Sequence, residues 1–130
     1  MIQLPWDAEA VEAMRPSVDA SPWAGIDGLA DALGQAHLWE MRAGRRRALV
    51  AVRGLQCEHG RVLDVVGLRS LGDRLDAREL CATIEQLARQ SYPAIDLLSM
   101  VTRHPHVLRG AQRNGWAPVA TVATKYLRVQ

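Results

Sequence analysis

The chain has 130 residues, 48% of them hydrophobic, and a formal net charge of +2. That length suits one core, so a single domain over residues 1–130 is expected. No apolar run approaches the roughly 20 residues of a membrane helix. The first residues lack a basic segment ahead of an apolar one, and two cysteines, Cys57 and Cys81, make no disulfide framework, so the expected address is cytoplasmic.

Residues 2–6 suggest a short strand. Asp7 is a plausible N-cap for a helix running to about Met14, with Ala8, Val11 and Met14 on one side, and Pro16 is expected to break it. A looser stretch follows, with Pro22, Gly25 and Gly28, then a short second helix bearing Leu29, Ala30 and Leu33. Residues 37–42 alternate as a strand, with Leu38, Glu40 and Arg42 on one face and Trp39 and Met41 on the other. Gly44 supplies a turn, and residues 47–56 make the next strand. Residues 58–60 turn the chain again, which completes an antiparallel three-stranded meander.

Residues 61–69 are nearly continuous apolar sequence, as in a strand covered on both faces. After a loop containing Gly72, Asp76 and Glu79 have the spacing of a capping box. Ala77, Leu80, Cys81, Ile84, Leu87 and Ala88 then recur at helical period. A second apolar run over residues 95–101 completes a strand–helix–strand unit, which predicts two parallel neighbouring strands and a right-handed crossover. In such a unit ligands sit at the carboxyl ends of the strands, against the helix start. Pro105 opens another helix with Val107, Leu108 and Ala111 inward. Asn114 and Gly115 end it, and Trp116 begins a final β segment that alternates to Arg128.

Asp64 stands inside an apolar strand, on the face shared by Val62, Val66 and Leu68. A carboxylate there is either a general base or simply lies near a strand end, solvated or paired with an arginine. Glu40 on a neighbouring strand is a second candidate base. Cys57 and His59 stand two residues apart, but no further ligands have metal-site spacing, so no metal is expected. His104 and His106 fit a helix start as capping or surface residues. Trp39 and Trp116 suit the core, whereas Trp6 and Trp23 suit a pocket or partner surface. Fifteen arginines stand against one lysine, Lys125. Their run Arg45-Arg46-Arg47 fits a solvated hairpin better than a nucleic-acid patch.

The order of helices, meander, crossover unit, helix and closing strand resembles the GNAT superfamily of acetyl-CoA-dependent N-acetyltransferases. The similarity is carried by residues 76–91 and by Leu108-Arg-Gly-Ala-Gln-Arg-Asn-Gly-Trp116 with the β run ending Lys125-Tyr126-Leu127. It implies an α/β (α+β) fold with a mixed sheet and acetyl-CoA between the two parallel strands. Leu68, Arg69, Ser70, Arg74, Ala77 and Arg78 would hold the cofactor. Asp64 or Glu40 would serve a small amine or a protein amine. The family's Gln/Arg-x-x-Gly-x-Gly/Ala loop aligns with Gly72, Leu75 and Ala77, so only its last position matches, and the slot of the usual proton-donating tyrosine holds Ala111. The alternative implied by these departures is a catalytically silent binding or structural protein of phage or prophage origin, associated with a virion, a phage partner or a second copy of itself.

Overall fold

The computed structural model describes residues 1–19, 33–58, 60–102, 104–119, 123, 125 and 127. The elements run β1 (Ile2–Leu4), α1 (Ala8–Asp19), β2 (His37–Ala43), β3 (Arg46–Cys57), β4 (Gly60–Leu71), α2 (Ala77–Ser91), β5 (Leu97–Met100) and α3 (Pro105–Gln112). The five strands form one mixed sheet in sequence order. β1 to β4 pair antiparallel, β2–β3 and β3–β4 through hairpin-length loops, and β5 lies parallel to β4. Sequence reasoning anticipated both the meander and the parallel pair. Among the described residues no helix is long and apolar enough to cross a membrane.

Both faces of the sheet are covered, which explains the apolar runs of β3 and β4. One face carries Met41, Val50, Val52, Leu63 and Val65 against Ile84, Leu87 and Ala88 of α2. The other carries Leu38, Leu49 and Ala51 against Ala10 and Met14 of α1. The alternation along β2 therefore falls as its sequence indicates. Gly44 turns β2 into β3 at φ +64°, at the first central position of a two-residue hairpin. α2 begins with the expected capping box. The Asp76 carboxylate accepts from the Glu79 amide at 2.8 Å, and the Glu79 side chain reaches back to the Asp76 amide at 3.5 Å. The start of β5 is fixed by Asp96, whose amide donates to the Arg61 carbonyl at 2.9 Å while its carboxylate accepts from the Arg61 amide at 3.1 Å.

Several expectations are corrected. α1 does not stop at Pro16 but runs on to Asp19. Asp7 caps its start as expected, accepting from the Ala10 amide at 2.8 Å. The turn beyond Pro16 is held by β4 rather than by the helix ladder that proline interrupts. Gly67 makes this possible, since a Cβ there would lie 2.5 Å from the Cε of Met14, which is fully buried. In β4 the register shifts by one residue, from Ala51–Gly67 to Val52–Val65, and leaves Val66 without a partner on β3. This β-bulge turns Leu68 onto the α2 face, whereas Val66 stays on the α1 face. Leu68 therefore does not share a face with Asp64. Thr83, off the apolar stripe of α2, is nevertheless buried and donates to the Glu79 carbonyl at 2.7 Å. Leu108, read as inward, is exposed. Residues 116–119, 123, 125 and 127 are not in a strand, so the described part of the final β segment is absent from the sheet. Its other residues, including Tyr126, lie outside the described residues, as do Trp23, His59 and most of the second expected helix.

Candidate functional site

β4 and β5 pair over Val62–Leu97 to Val65–Met100 and then part. β4 continues in extended form to Leu71, while the chain after Met100 leaves for α3. The gap between them is a cleft of about 690 Å³. Its walls are residues 65–70 of β4, the end of β5, the first two turns of α2, one side of α3 and Pro16 and Ser17 of α1. The position is the one that parallel-strand topology favours for ligands, at the strands' carboxyl ends.

α3 closes the far wall because Gly110 lets it approach α2. A Cβ on Gly110 would stand 2.9 Å from the Cβ of Ala77. Trp116 follows, its amide donating to the Ala111 carbonyl at 3.2 Å as the helix unwinds. Cys81 and Ala111 are buried in the cleft wall. Burial pushes the Cys81 thiol up; the Glu85 charge adds to this and a hydrogen bond from Trp116 opposes it. Both cysteines are free thiols.

Of the six residues expected to hold a cofactor, Leu68, Arg69, Ser70, Arg74 and Ala77 line the cleft and Arg78 does not. The two candidate bases lie elsewhere. Asp64 accepts from Ser99 at 2.7 Å and from Arg53 at 3.3 Å, a row that ties β3, β4 and β5 together on the α1 face. Glu40 accepts from Arg47 at 3.0 Å and from Arg42 at 3.1 Å. Both carboxylates are buried, share no partner and stay out of the cleft wall. The arginine-paired reading of Asp64 is the one this geometry matches. Trp6 donates to the Ala36 carbonyl at 2.9 Å, packs against the cluster under α1 and is not in the wall of this cleft. Among the described residues no group of His, Cys, Asp and Glu is arranged to hold a metal ion.

No protein-family model matches this chain, and no curated protein matches it. Its fold is similar to that of TTHA1254 from Thermus thermophilus. The crystal structure of a TTHA1254 point mutant superposes with a TM-score of 0.54 and that of the wild type with 0.50. In each case the sequences are 12% identical and the match covers 100% of both chains. The likeness to TTHA1254 therefore concerns the whole architecture, and at this identity it speaks for the fold alone.

The chemistry of the cleft rests on this chain's own residues. No carboxylate lines it among the described residues; its charged or titratable groups are Arg69, Arg74, Cys81, His104 and His106. That composition favours an anionic or polar ligand and offers two exposed imidazoles as proton acceptors. Their rings lie 5.3 Å apart on either side of Pro105. The helix start beside them is less welcoming to phosphate than in a glycine-rich loop. Asp76 fills it with its own carboxylate, and Glu79 is ion-paired to Arg46. Over residues 69–79 three arginines, Arg69, Arg74 and Arg78, face three acids, Asp73, Asp76 and Glu79, which leaves no net charge. Leu75 occupies the middle glycine slot with its side chain in the core below the cleft.

Sequence reasoning missed His104 and His106 as cleft residues, although both open the helix that follows the second parallel strand. It also missed Ser17, which meets β4 across 51 positions of chain; no local pattern encodes such a contact.

Proposed function

We propose that this chain is a GNAT-like acetyltransferase that takes acetyl-CoA in the cleft between β4 and β5 and passes the acetyl group to an amine. The observation that carries this reading is the parting of the two parallel strands after the Val65–Met100 pair. It leaves a cleft of a size typical for small-molecule sites, with β4 on one wall and Arg69 and Arg74 among its lining residues. Acetyl-CoA would supply an activated thioester. The amine nitrogen forms the new amide bond, the thiolate leaves with the electrons of the broken C–S bond, and the amine's proton goes to a base at the cleft. Arg69 and Arg74 are suited to hold phosphate, and His104 and His106 to accept the proton.

A second reading, a silent binding protein on the same fold, is favoured by the first turn of α2. Its capping box already occupies donors that would otherwise meet a diphosphate.

Isothermal titration with acetyl-CoA and desulfo-CoA decides between them. The enzyme reading expects micromolar binding, weakened about tenfold by Arg74→Glu. Asp76→Asn, which keeps the cap but removes the charge, should tighten it about two- to fivefold. No heat at millimolar ligand overturns the reading. Binding without release of free thiol from acetyl-CoA across a panel of amines supports the silent alternative.

A further inference from the structure

Beyond the Val65–Met100 pair, β4 has main-chain groups that face the cleft instead of a strand. Leu68 stands opposite Val50 but directs its N–H and C=O away from β3, toward the side that β5 has vacated. Both groups are taken by one side chain. The Ser17 hydroxyl donates to the Leu68 carbonyl at 2.6 Å and accepts from the Leu68 amide at 3.1 Å. Ser17 and Pro16 belong to the last turn of α1 and line the cleft.

We propose that this turn is a strap, with Ser17 as its latch, that occupies the cleft-facing edge of β4 and competes with an extended, amide-bearing ligand for Leu68. The inference rests on the reading that the cleft is the ligand site, and it adds how access to that site is controlled. The turn is built to open without disturbing the preceding turns of α1. Met14 anchors the preceding turn, fully buried above Gly67, and the Ala13 carbonyl accepts from Arg69 at 3.0 Å. Pro16 then cannot donate to the Glu12 carbonyl, so the helix ladder is broken one residue before the latch. Among the described residues, the side-chain hydrogen bonds that tie this turn to β4 are those of Ser17 with Leu68. Swinging Ser17 away frees one N–H and one C=O in strand geometry, which an extended chain with amide groups can take by adding to the edge.

Two variants should move ligand affinity in opposite directions. Ser17→Ala removes the competitor, so acetyl-CoA should bind about 5- to 30-fold more tightly, the factor for one to two hydrogen bonds. Pro16→Ala restores the missing ladder bond, holds the strap shut and should weaken binding. Amide exchange followed by NMR gives an independent reading. In the native protein Leu68 should exchange through a local opening, faster than its neighbour Val65, and Pro16→Ala should slow it. Unchanged or weaker binding by Ser17→Ala overturns the strap, as does Leu68 exchange that occurs only with global unfolding. If none of the three proteins binds acetyl-CoA, the acetyltransferase reading fails, and the strap then stands or falls on the exchange data.

Discussion

Cys81 links a single side chain to a measurable pH dependence. Its thiol is pushed up chiefly by burial in the wall of the cleft. The folded chain thus holds its proton more tightly than the unfolded chain does. The associated stability is complete below about pH 8.5, the ordinary thiol value, and is lost as the pH rises through the higher folded value. Urea denaturation of the wild type and of Cys81→Ala, compared from pH 7 to pH 10, should show their stability difference drifting against the wild type only in the alkaline arm. Cys57, exposed and common to both proteins, cancels in that comparison. A difference that stays flat with pH would place the thiol in a wetter setting than the one described.

At the scale of elements, the junction of α2 and α3 depends on one missing methyl group. A Cβ on Gly110 would stand 2.9 Å from the Cβ of Ala77, and neither atom has a rotamer through which to escape. Gly110→Ala gains about 1 kcal/mol of helix propensity. Against that, over-packing costs about 1–3 kcal/mol, so a net loss is expected, together with a wider cleft. The double variant Ala77→Gly with Gly110→Ala moves the methyl group to the other helix and should recover most of the loss. Thermal unfolding of the two single variants and the double variant tests this as a cycle. Strict additivity would mean that the helices do not meet at these two residues.

For the whole molecule, the bulge at Val66 decides which side chains meet which layer. Leu63 and Val65 before it and Leu68 after it all reach the α2 core only because one extra residue lies between them. Deleting Val66 makes β4 regular, and a one-residue slip sends side chains to the wrong face. Either Leu68 or the pair before it then leaves the core, and Gly67 no longer sits beneath Met14. We expect a loss of about 3 kcal/mol or more, comparable to emptying a large core position. It should appear as a lower urea midpoint and a weakened near-ultraviolet dichroism. A deletion variant of native stability would mean that β4 tolerates either register.

Local chemistry determined much of this protein. The capping box of α2, the turn at Gly44, the alternation of β2 and the strand–helix–strand unit over residues 61–101 are each written in adjacent residues, because short-range sterics and period decide them. The family resemblance, rather than any local pattern, named Leu68, Arg69, Ser70, Arg74 and Ala77, which line the cleft, and Arg78, which does not. Tertiary structure decided the rest. It continued α1 past Pro16 by giving its last turn partners on β4, which no propensity of residues 15–19 encodes. It inserted the bulge, whose signature is a mismatch between two strands and is invisible in either alone. It engaged Asp64 and Glu40 with arginines outside the cleft and brought His104, His106 and Ser17 to its wall. A carboxylate's partner is set by which strand lies beside it, and that is fixed only when the sheet closes.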